Sequence, residues 1–201
     1  MDRSKHAIQL REALGSLKGP LMKVAQILST IPDALPKEYA DELAALQADA
    51  PAMGWLFVKR RMRSELGNEW EKKFESFDKN AYSAASLGQV HQAKLDNEKG
   101  AVKLQYPDMD SAINADLNQL KLVFSLYERI DSAISTKDIY TELSDRLREE
   151  LDYNREALNM KLYRLMLSGE NKVVLPKPID ELTPSRVLTM SWGDGLKLMK
   201  Y

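Results

Sequence analysis

The chain of 201 residues is 44% hydrophobic and 29% charged, and its 29 basic and 30 acidic residues give a formal net charge of −1. This length suits one domain or one large lobe, and the balanced charge argues against a nucleic-acid partner. With no cysteine and only two histidines, disulfides, cysteine nucleophiles, thiolate metal sites and histidine-rich metal sites are excluded.

The charged N-terminus has no apolar signal-peptide core, and no segment approaches the ~18 apolar residues of a membrane-spanning helix. These features predict a cytoplasmic protein. A soluble piece of a membrane-attached protein would have the same features, so a peripheral membrane position stays open.

Apolar residues at spacings of three and four predict helices across the first third of the chain. The first runs from about Leu10 to Leu28 and the second from about Pro36 to Gln47. The third runs from about Met53 to Leu66, and Gly67 has the position of its C-terminal cap.

The helical period fades in the middle of the chain, where GQVHQAKL and AVKLQYP predict two antiparallel strands. DNEKG between them has the composition and length of a hairpin loop. Apolar stripes at 109–127 and 139–167 then predict two long helices, and KVVLPKPI and SRVLTMSW predict two more strands. The segment that follows, GDGLKLMKY, has the character of a hinge. This order of elements predicts an α+β domain.

Lys103 lies in the predicted strand AVKLQYP. The simpler interpretation is a solvated edge residue. The alternative is a lysine that binds nucleotide phosphates, and such a lysine needs a carboxylate to hold it. REELDYNREALN offers several carboxylates, and on an ideal helix Glu149, Asp152 and Glu156 share one face while Glu150 points elsewhere. A solvated charged face is again the simpler interpretation.

Two other patterns are weak by themselves. The small residues of YSAASLGQVH would let backbone N–H groups approach a phosphate, although the segment is neither G-x-G-x-x-G nor a Walker motif. Lys23 and Gln26 stand three apart in an apolar neighbourhood, and they could simply extend to water beside the helical stripe.

Five segments in this order resemble the UbiB/ADCK (AarF) family of atypical protein-kinase-like proteins, over about Leu14 to Gly195. They correspond to the family's KxGQ segment, alanine-rich nucleotide loop, lysine strand, ExD segment and final N-lobe strands with the hinge: KVAQILSTIPDALPKEYADELAALQ, SAASLGQVHQAKL, AVKLQYPDM, EELDYNREALNM and VLPKPIDELTPSRVLTMSWGDG. The resemblance implies a kinase-like N-lobe, a small antiparallel sheet with helices, over 71–201. A family-specific helical extension with the KxGQ-like motif would precede it over 1–70.

The resemblance also implies a site for ATP or ADP. Lys103 would contact the α- and β-phosphates and would be oriented by Glu156. The backbone of the Ser83–Gly88 turn would cover the phosphates, and the backbone near Met190–Trp192 would meet the adenine. The implied nucleotide-binding residues are Ser83, Ala84, Ala85, Ser86, Leu87, Gly88, Val90, Lys103, Glu156, Met190, Ser191 and Trp192.

The family's regulatory residues correspond to Lys23 and Gln26, which would face Glu150 and Asp152 of the ExD segment. On a regular helix the last two diverge by about 160°, so either the helix is irregular there or Glu149 shares the role. The sequence also departs from the family pattern: Ala25 replaces a glycine of KxGQ, Ser83 replaces an alanine of the loop, and Gly100 replaces an apolar residue before Ala101. The last of these leaves the strand pairing open.

By the same resemblance, the activity would be ATPase-like or directed at a small molecule, and connected with isoprenoid quinone (ubiquinone) biosynthesis near a membrane. Nothing after Gly195 resembles a kinase catalytic loop or a DFG-type metal ligand. We therefore expect a fragment, a truncated reading frame or half of a split enzyme whose C-lobe is encoded separately. Such a chain would hold no catalytic or metal-binding residue, would bind Mg²⁺ only with the C-lobe, and would be inactive alone. The alternative is a non-catalytic helical interaction module.

Overall fold

The computed structural model describes residues 52–84, 87–115, 117–118, 121 and 136–195. The predicted helices Leu10–Leu28 and Pro36–Gln47 lie outside the described residues. Among the described residues, no helix combines the length and apolar character needed to span a bilayer.

The described elements form an α+β fold, as predicted. The strands are β1 Ser76–Phe77, β2 Ser83–Ala84, β3 Gly88–Leu95, β4 Glu98–Gln105 and β5 Val187–Ser191. The helices are α1 Trp55–Leu66, α2 (described at 109–115, 117–118 and 121), α3 Thr136–Leu151 and α4 Tyr153–Met166, with 3-10 turns at Trp70–Lys73 and Asp180–Leu182. The chain divides into two compact units, one with α2 and α3 and the other with α1, most of the sheet and α4.

The sheet has the strand order β1-β3-β4-β5, with β2 also pairing with β3. The hairpin β3–β4 is present as predicted, but its loop is shorter than DNEKG because the last three of those residues belong to β4. The turn consists of Asp96 and Asn97, whose φ angles are 47° and 65°. A two-residue turn with positive φ at both positions is type I′, which matches the twist of the flanking strands.

The pairing of β4 with β5 is antiparallel and in register from Gly100, which lies opposite Ser191, to Leu104, which lies opposite Val187. Gly100, which stands where the family has an apolar residue, therefore does not disturb the pairing. A Cβ atom at Gly100 would stand 2.7 Å from Leu95 Cδ1, so a larger residue would require that side chain to move.

The prediction of a strand at KVVLPKPI is wrong. Only Pro178 in this segment forms an isolated antiparallel bridge, with Met190. Two prolines, Pro176 and Pro178, have no N–H to give to a ladder, so the segment follows β5 as an irregular edge. It is fastened where Ile179 N–H donates to Thr189 and Ser191 N–H donates to Lys177, at 2.8 and 2.9 Å.

The main core lies between α1 and one face of the sheet. Helix α1 ends where predicted, and the Gly67 N–H caps it by donating to the Arg63 carbonyl at 3.0 Å. Nine buried residues make this core: Val58, Met62, Trp70, Phe74, Ala93, Val102, Leu104, Leu182 and Val187. Val58 and Met62, which precede the predicted boundary at residue 70, pack in this core with residues that follow it, and the boundary itself stays a prediction. A separate cluster joins α2 and α3 through Ile113, Leu117, Leu143 and Leu147.

A buried hydrogen-bonded chain links β3 to the start of α1. The Gln89 amide accepts from Met53 N–H at 2.7 Å and donates to the Met53 carbonyl at 3.1 Å. It also lies 2.8 Å from His91 Nε2, while His91 Nδ1 lies 2.8 Å from the Asp78 carbonyl. Since a carbonyl can only accept, the His91 proton lies on Nδ1. The Gln89 side-chain N–H donates to Nε2, so Nε2 carries no proton and His91 is neutral.

This arrangement predicts acid sensitivity. Burial lowers the pKa of His91 below its ordinary value of 6.5, and the hydrogen bond to the Asp78 carbonyl and the Asp78 charge offset only part of that effect. Because the pKa is depressed in the folded state, the stability contributed by neutral His91 is fully present above pH 6.5 and is lost as the pH falls through the folded-state pKa. NMR titration of the imidazole in a His6→Gln variant, which leaves one histidine, should give a pKa below 6.5. A pKa at or above that value would contradict the buried neutral assignment.

Candidate functional site

Lys103 projects from the face of the sheet opposite the main core. Its neighbours Val102 and Leu104 are fully buried in that core, and alternate residues of a strand point to opposite faces. Lys103 pairs with Leu188 of β5, so their side chains share a face. Leu188 packs there against Tyr153 and Ala157 of α4. The sheet therefore directs Lys103 towards α4.

Lys103 meets Glu156 on that side. Lys103 Nζ lies 3.0 Å from Oε1 and 2.7 Å from Oε2 of Glu156, so both carboxylate oxygens are engaged. The two side chains are 26% and 33% exposed, which leaves the pair half-buried and reachable from solvent. An ammonium has three donors, and Glu156 accounts for two of them. The geometry therefore contains the lysine–carboxylate pair that the resemblance implies.

The position of Glu156 depends on a helix break that the sequence reading missed. The predicted single helix over 139–167 is wrong: α3 ends at Leu151 and α4 begins at Tyr153. Asp152 between them has φ −87° and ψ 84°, and its carboxylate accepts from Arg155 N–H at 2.9 Å. An aspartate whose carboxylate accepts from a backbone N–H of the first helical turn favours a new helix start over continuation of the preceding helix.

The helix is irregular at the ExD segment, which was one of the two alternatives, and a shared role for Glu149 stays a prediction. Asp152 is the N-cap of α4, and Glu150 is exposed in the last turn of α3. Glu149 lies 3.4 Å from Arg146 within α3. Lys23 and Gln26 lie outside the described residues, so their approach to Glu150 and Asp152 stays a prediction.

The proposed phosphate loop is shorter than the predicted Ser83–Gly88 turn. Ser83 and Ala84 form β2 and Gly88 begins β3, which leaves 85–87 between the strands. The Leu87 carbonyl accepts from Tyr106 N–H at 3.0 Å, and the Val90 carbonyl accepts from Tyr82 N–H at 2.8 Å. Ala85 and Ser86 lie outside the described residues, so no loop geometry over a phosphate is assigned.

The predicted adenine-binding backbone lies at the end of β5. The N–H of Ser191 donates to the Lys177 carbonyl at 2.9 Å, and the N–H of Trp192 donates to the Lys99 carbonyl at 3.0 Å. A donor to adenine at either residue would have to replace one of these bonds. Met190 precedes them opposite Ala101, and it packs beside the cluster formed by Tyr153, Ala157 and Leu188.

Two aromatic residues at the site were not singled out from the sequence. The Tyr153 ring lies under Lys103, with Nζ 4.8 Å from the ring centroid. Tyr82 meets Trp192 edge-on, with ring centroids 4.7 Å apart. Tyr153 stands three residues before Glu156, and that helical spacing is a signal that could have placed it on the same face.

Within the described ranges there is no group of three or more histidine, cysteine, aspartate or glutamate side chains arranged to hold a metal ion. We assign no metal ligand to these residues.

The helix break gives a testable stability effect. Asp152→Ala should lower the free energy of unfolding by about 0.5–2 kcal/mol, because the Arg155 N–H loses its acceptor. Asp152→Asn keeps an acceptor at the same position and should stay close to the wild-type value. Urea denaturation of the three proteins measures the difference. Equal stability of the Ala and Asn variants would contradict the capping role.

Comparison with known proteins identifies relatives of this chain. A family model described as the ABC1 atypical kinase-like domain matches residues 45–201. The mitochondrial atypical kinase COQ8 of Saccharomyces cerevisiae is 30% identical over 194 residues, which cover 96% of this chain and 39% of the yeast protein. The chloroplastic protein ACTIVITY OF BC1 COMPLEX KINASE 7 of Arabidopsis thaliana is 35% identical over 200 residues, which cover 98% of this chain and 29% of that protein.

A solved structure is also similar. The complex of Rv3197 with erythromycin from Mycobacterium tuberculosis has a TM-score of 0.65 and 31% identity, and the match covers 98% of this chain and 50% of that one. The chain thus spans half or less of the length of these relatives. The family match over residues 45–201, together with the five motif segments, establishes that the chain belongs to the ABC1 (UbiB/ADCK/AarF) family of atypical kinase-like proteins.

Proposed function

We propose that this chain is the nucleotide-binding region of an atypical kinase and that it binds ATP or ADP through Lys103. The observation that supports this is the bidentate contact of Lys103 Nζ with Glu156, at 2.7 and 3.0 Å. Kinases use such a lysine, held by a glutamate of a neighbouring helix, to contact nucleotide phosphates. Membership of the kinase-like family makes this the role expected of the pair.

Lys103 is held more firmly than an ordinary surface lysine and is still partly exposed, as a ligand role requires. A second strand lysine, Lys94, pairs with Glu75 at 3.1 Å, but these side chains are 45% and 39% exposed. Such an exposed pair is strongly hydrated and contributes little to stability. The Lys103 pair is more buried, with exposures of 26% and 33%. Its ammonium is therefore fixed in place by the fold and still reachable by a phosphate.

We extend the proposal to the rest of the predicted nucleotide-binding residues. The backbone between Ser83 and Gly88, followed by Val90, would border the phosphates, and the segment Met190–Trp192 would border the adenine. Since the N–H groups of Ser191 and Trp192 already donate to carbonyls within the protein, we assign adenine recognition to backbone acceptors there or to donors after Trp192.

We propose nucleotide binding, without turnover, for the 201-residue chain. Phosphoryl transfer in kinases also needs metal-binding and catalytic carboxylates, and none of the described residues is assigned to those roles. Groups outside the described residues would have to supply these carboxylates together with Mg²⁺. Isoprenoid quinone biosynthesis, with peripheral attachment to a membrane, is the cellular context that the family resemblance favours.

A second candidate function is an interaction module. Helix α4 exposes large apolar side chains at spacings of three and four, with Leu158, Leu162 and Leu165 exposed by 63%, 53% and 74%. Exposed apolar side chains at helical spacing are typical of a surface that contacts another protein. Nucleotide binding would not be needed for this role.

The effect of ADP on the melting temperature distinguishes the two functions. ADP at millimolar concentration should raise the melting temperature of the wild-type chain, because a ligand that binds only the folded state stabilises it. Lys103→Ala should abolish this rise. The control is Lys94→Ala, which removes a strand lysine that also pairs with a glutamate and should keep the full rise. The same melting temperature with and without ADP in the wild-type chain would favour the interaction module.

A further inference from the structure

Lys103 has a second partner besides Glu156. Its ammonium lies over the face of the Tyr153 ring, with Nζ 4.8 Å from the centroid. Attraction between a cation and an aromatic face is significant within about 6 Å and strengthens when water is excluded. Tyr153 is only 1% exposed, so its ring is almost fully shielded from water.

We propose that Tyr153 is a positioning residue for nucleotide binding, whose ring face holds the Lys103 ammonium in place beside Glu156. This proposal rests on the proposed function of Lys103. It assigns to Tyr153 a role in the site that is separate from its packing in the core.

The ring is itself fixed from two sides. Tyr153 is the first residue of α4, directly after the Asp152 cap, and its ring packs against Ala157 and Leu188. Leu188 in turn lies opposite Lys103 in the sheet. The register of the sheet and the start of the helix therefore set the position of the ring relative to the ammonium.

The two partners of Lys103 act differently on its charge. The Glu156 carboxylate neutralises part of the field that a phosphate would feel. The Tyr153 ring is uncharged, so it attracts the ammonium without cancelling its charge. A lysine side chain has several rotatable bonds, and holding it in advance reduces the entropy that is lost when a nucleotide binds. Positioning by the ring thus favours phosphate binding by an ammonium that keeps its charge.

Tyr153 also has an electrostatic effect on Arg61. Burial, followed by the charge of Arg186, lowers the pKa of Arg61, while Glu65 and Tyr153 raise it. Arg61 Nε also donates to the Gln105 carbonyl of β4 at 3.1 Å. A substitution that removes only the hydroxyl therefore separates the electrostatic effect on Arg61 from the contact of the ring face with Lys103.

The test uses the full 201-residue chain and ADP as the probe. Tyr153→Phe, and replacement of Tyr153 by a series of progressively fluorinated phenylalanines, keep the shape of the ring while its attraction for a cation falls. Isothermal titration should show that Tyr153→Phe binds ADP within about twofold of wild type. Affinity should then fall stepwise with fluorination, by about 3-fold to 30-fold in total. A constant affinity across the series would overturn the proposal, because a purely structural role depends on ring shape.

A nucleotide-free measurement separates this proposal from the proposed function. Ring current from Tyr153 should shift the Lys103 ε-protons upfield in NMR spectra, and Tyr153→Leu should remove the shift. If wild type binds no ADP but shows the shift, the proposed function fails and the contact that holds Lys103 stands. If wild type binds ADP and shows no shift, the positioning role fails and nucleotide binding stands.

Discussion

The ion pair between Lys103 and Glu156 is the interaction on which the site depends, and two backbone features set its geometry. The first is the register of β4 and β5, which places Lys103 opposite Leu188 on the face that packs against α4. The second is the start of α4 at Tyr153, which brings Glu156 into the first turn of a new helix. A carboxylate in a first turn is also favoured by the helix dipole. The pair is therefore a consequence of strand register and helix capping together.

The two faces of β4 have different surroundings: one face packs in the apolar core, and the other carries the half-buried site. Val102 and Leu104 point into the core with α1, and Lys103 between them points to the opposite face. A register shift of one residue would place the ammonium in the core, where an unpaired charge is very costly. The buried contacts of Val102 and Leu104 thus fix the direction of Lys103. The Gln89–His91 chain adds to this by joining β3 to the start of α1 through four short contacts with Met53, Asp78 and each other.

Much of the fold could be predicted from patterns in the sequence, and the reasons for the failures are local. Helix α1, its Gly67 cap and the β3–β4 hairpin follow from periodicity and turn composition. The apolar period continues through 139–167, so it hides the break at Asp152, which depends on one side chain capping one N–H. The apolar residues of KVVLPKPI also predict a strand, although its prolines cannot donate to a ladder and its only bridge among the described residues is the one between Pro178 and Met190.

The site could be predicted from the sequence less fully than the fold. Periodicity alone gave several carboxylates that could accompany Lys103, and only the family resemblance selected Glu156. Tyr153 was overlooked because a buried aromatic at a helix start is typical of core packing. Its second role becomes visible only when the strand and helix are placed together, with the Lys103 ammonium 4.8 Å from the ring.

The central claim is that Lys103 and Glu156 bind nucleotide as one unit. A double-mutant cycle on ADP affinity, with Lys103→Met, Glu156→Gln and the combined variant, tests it most directly. If Glu156 acts only by holding Lys103, each single substitution should weaken ADP binding, and the double variant should be no weaker than Lys103→Met alone. Losses that simply add, or an affinity that neither substitution changes, would contradict the account.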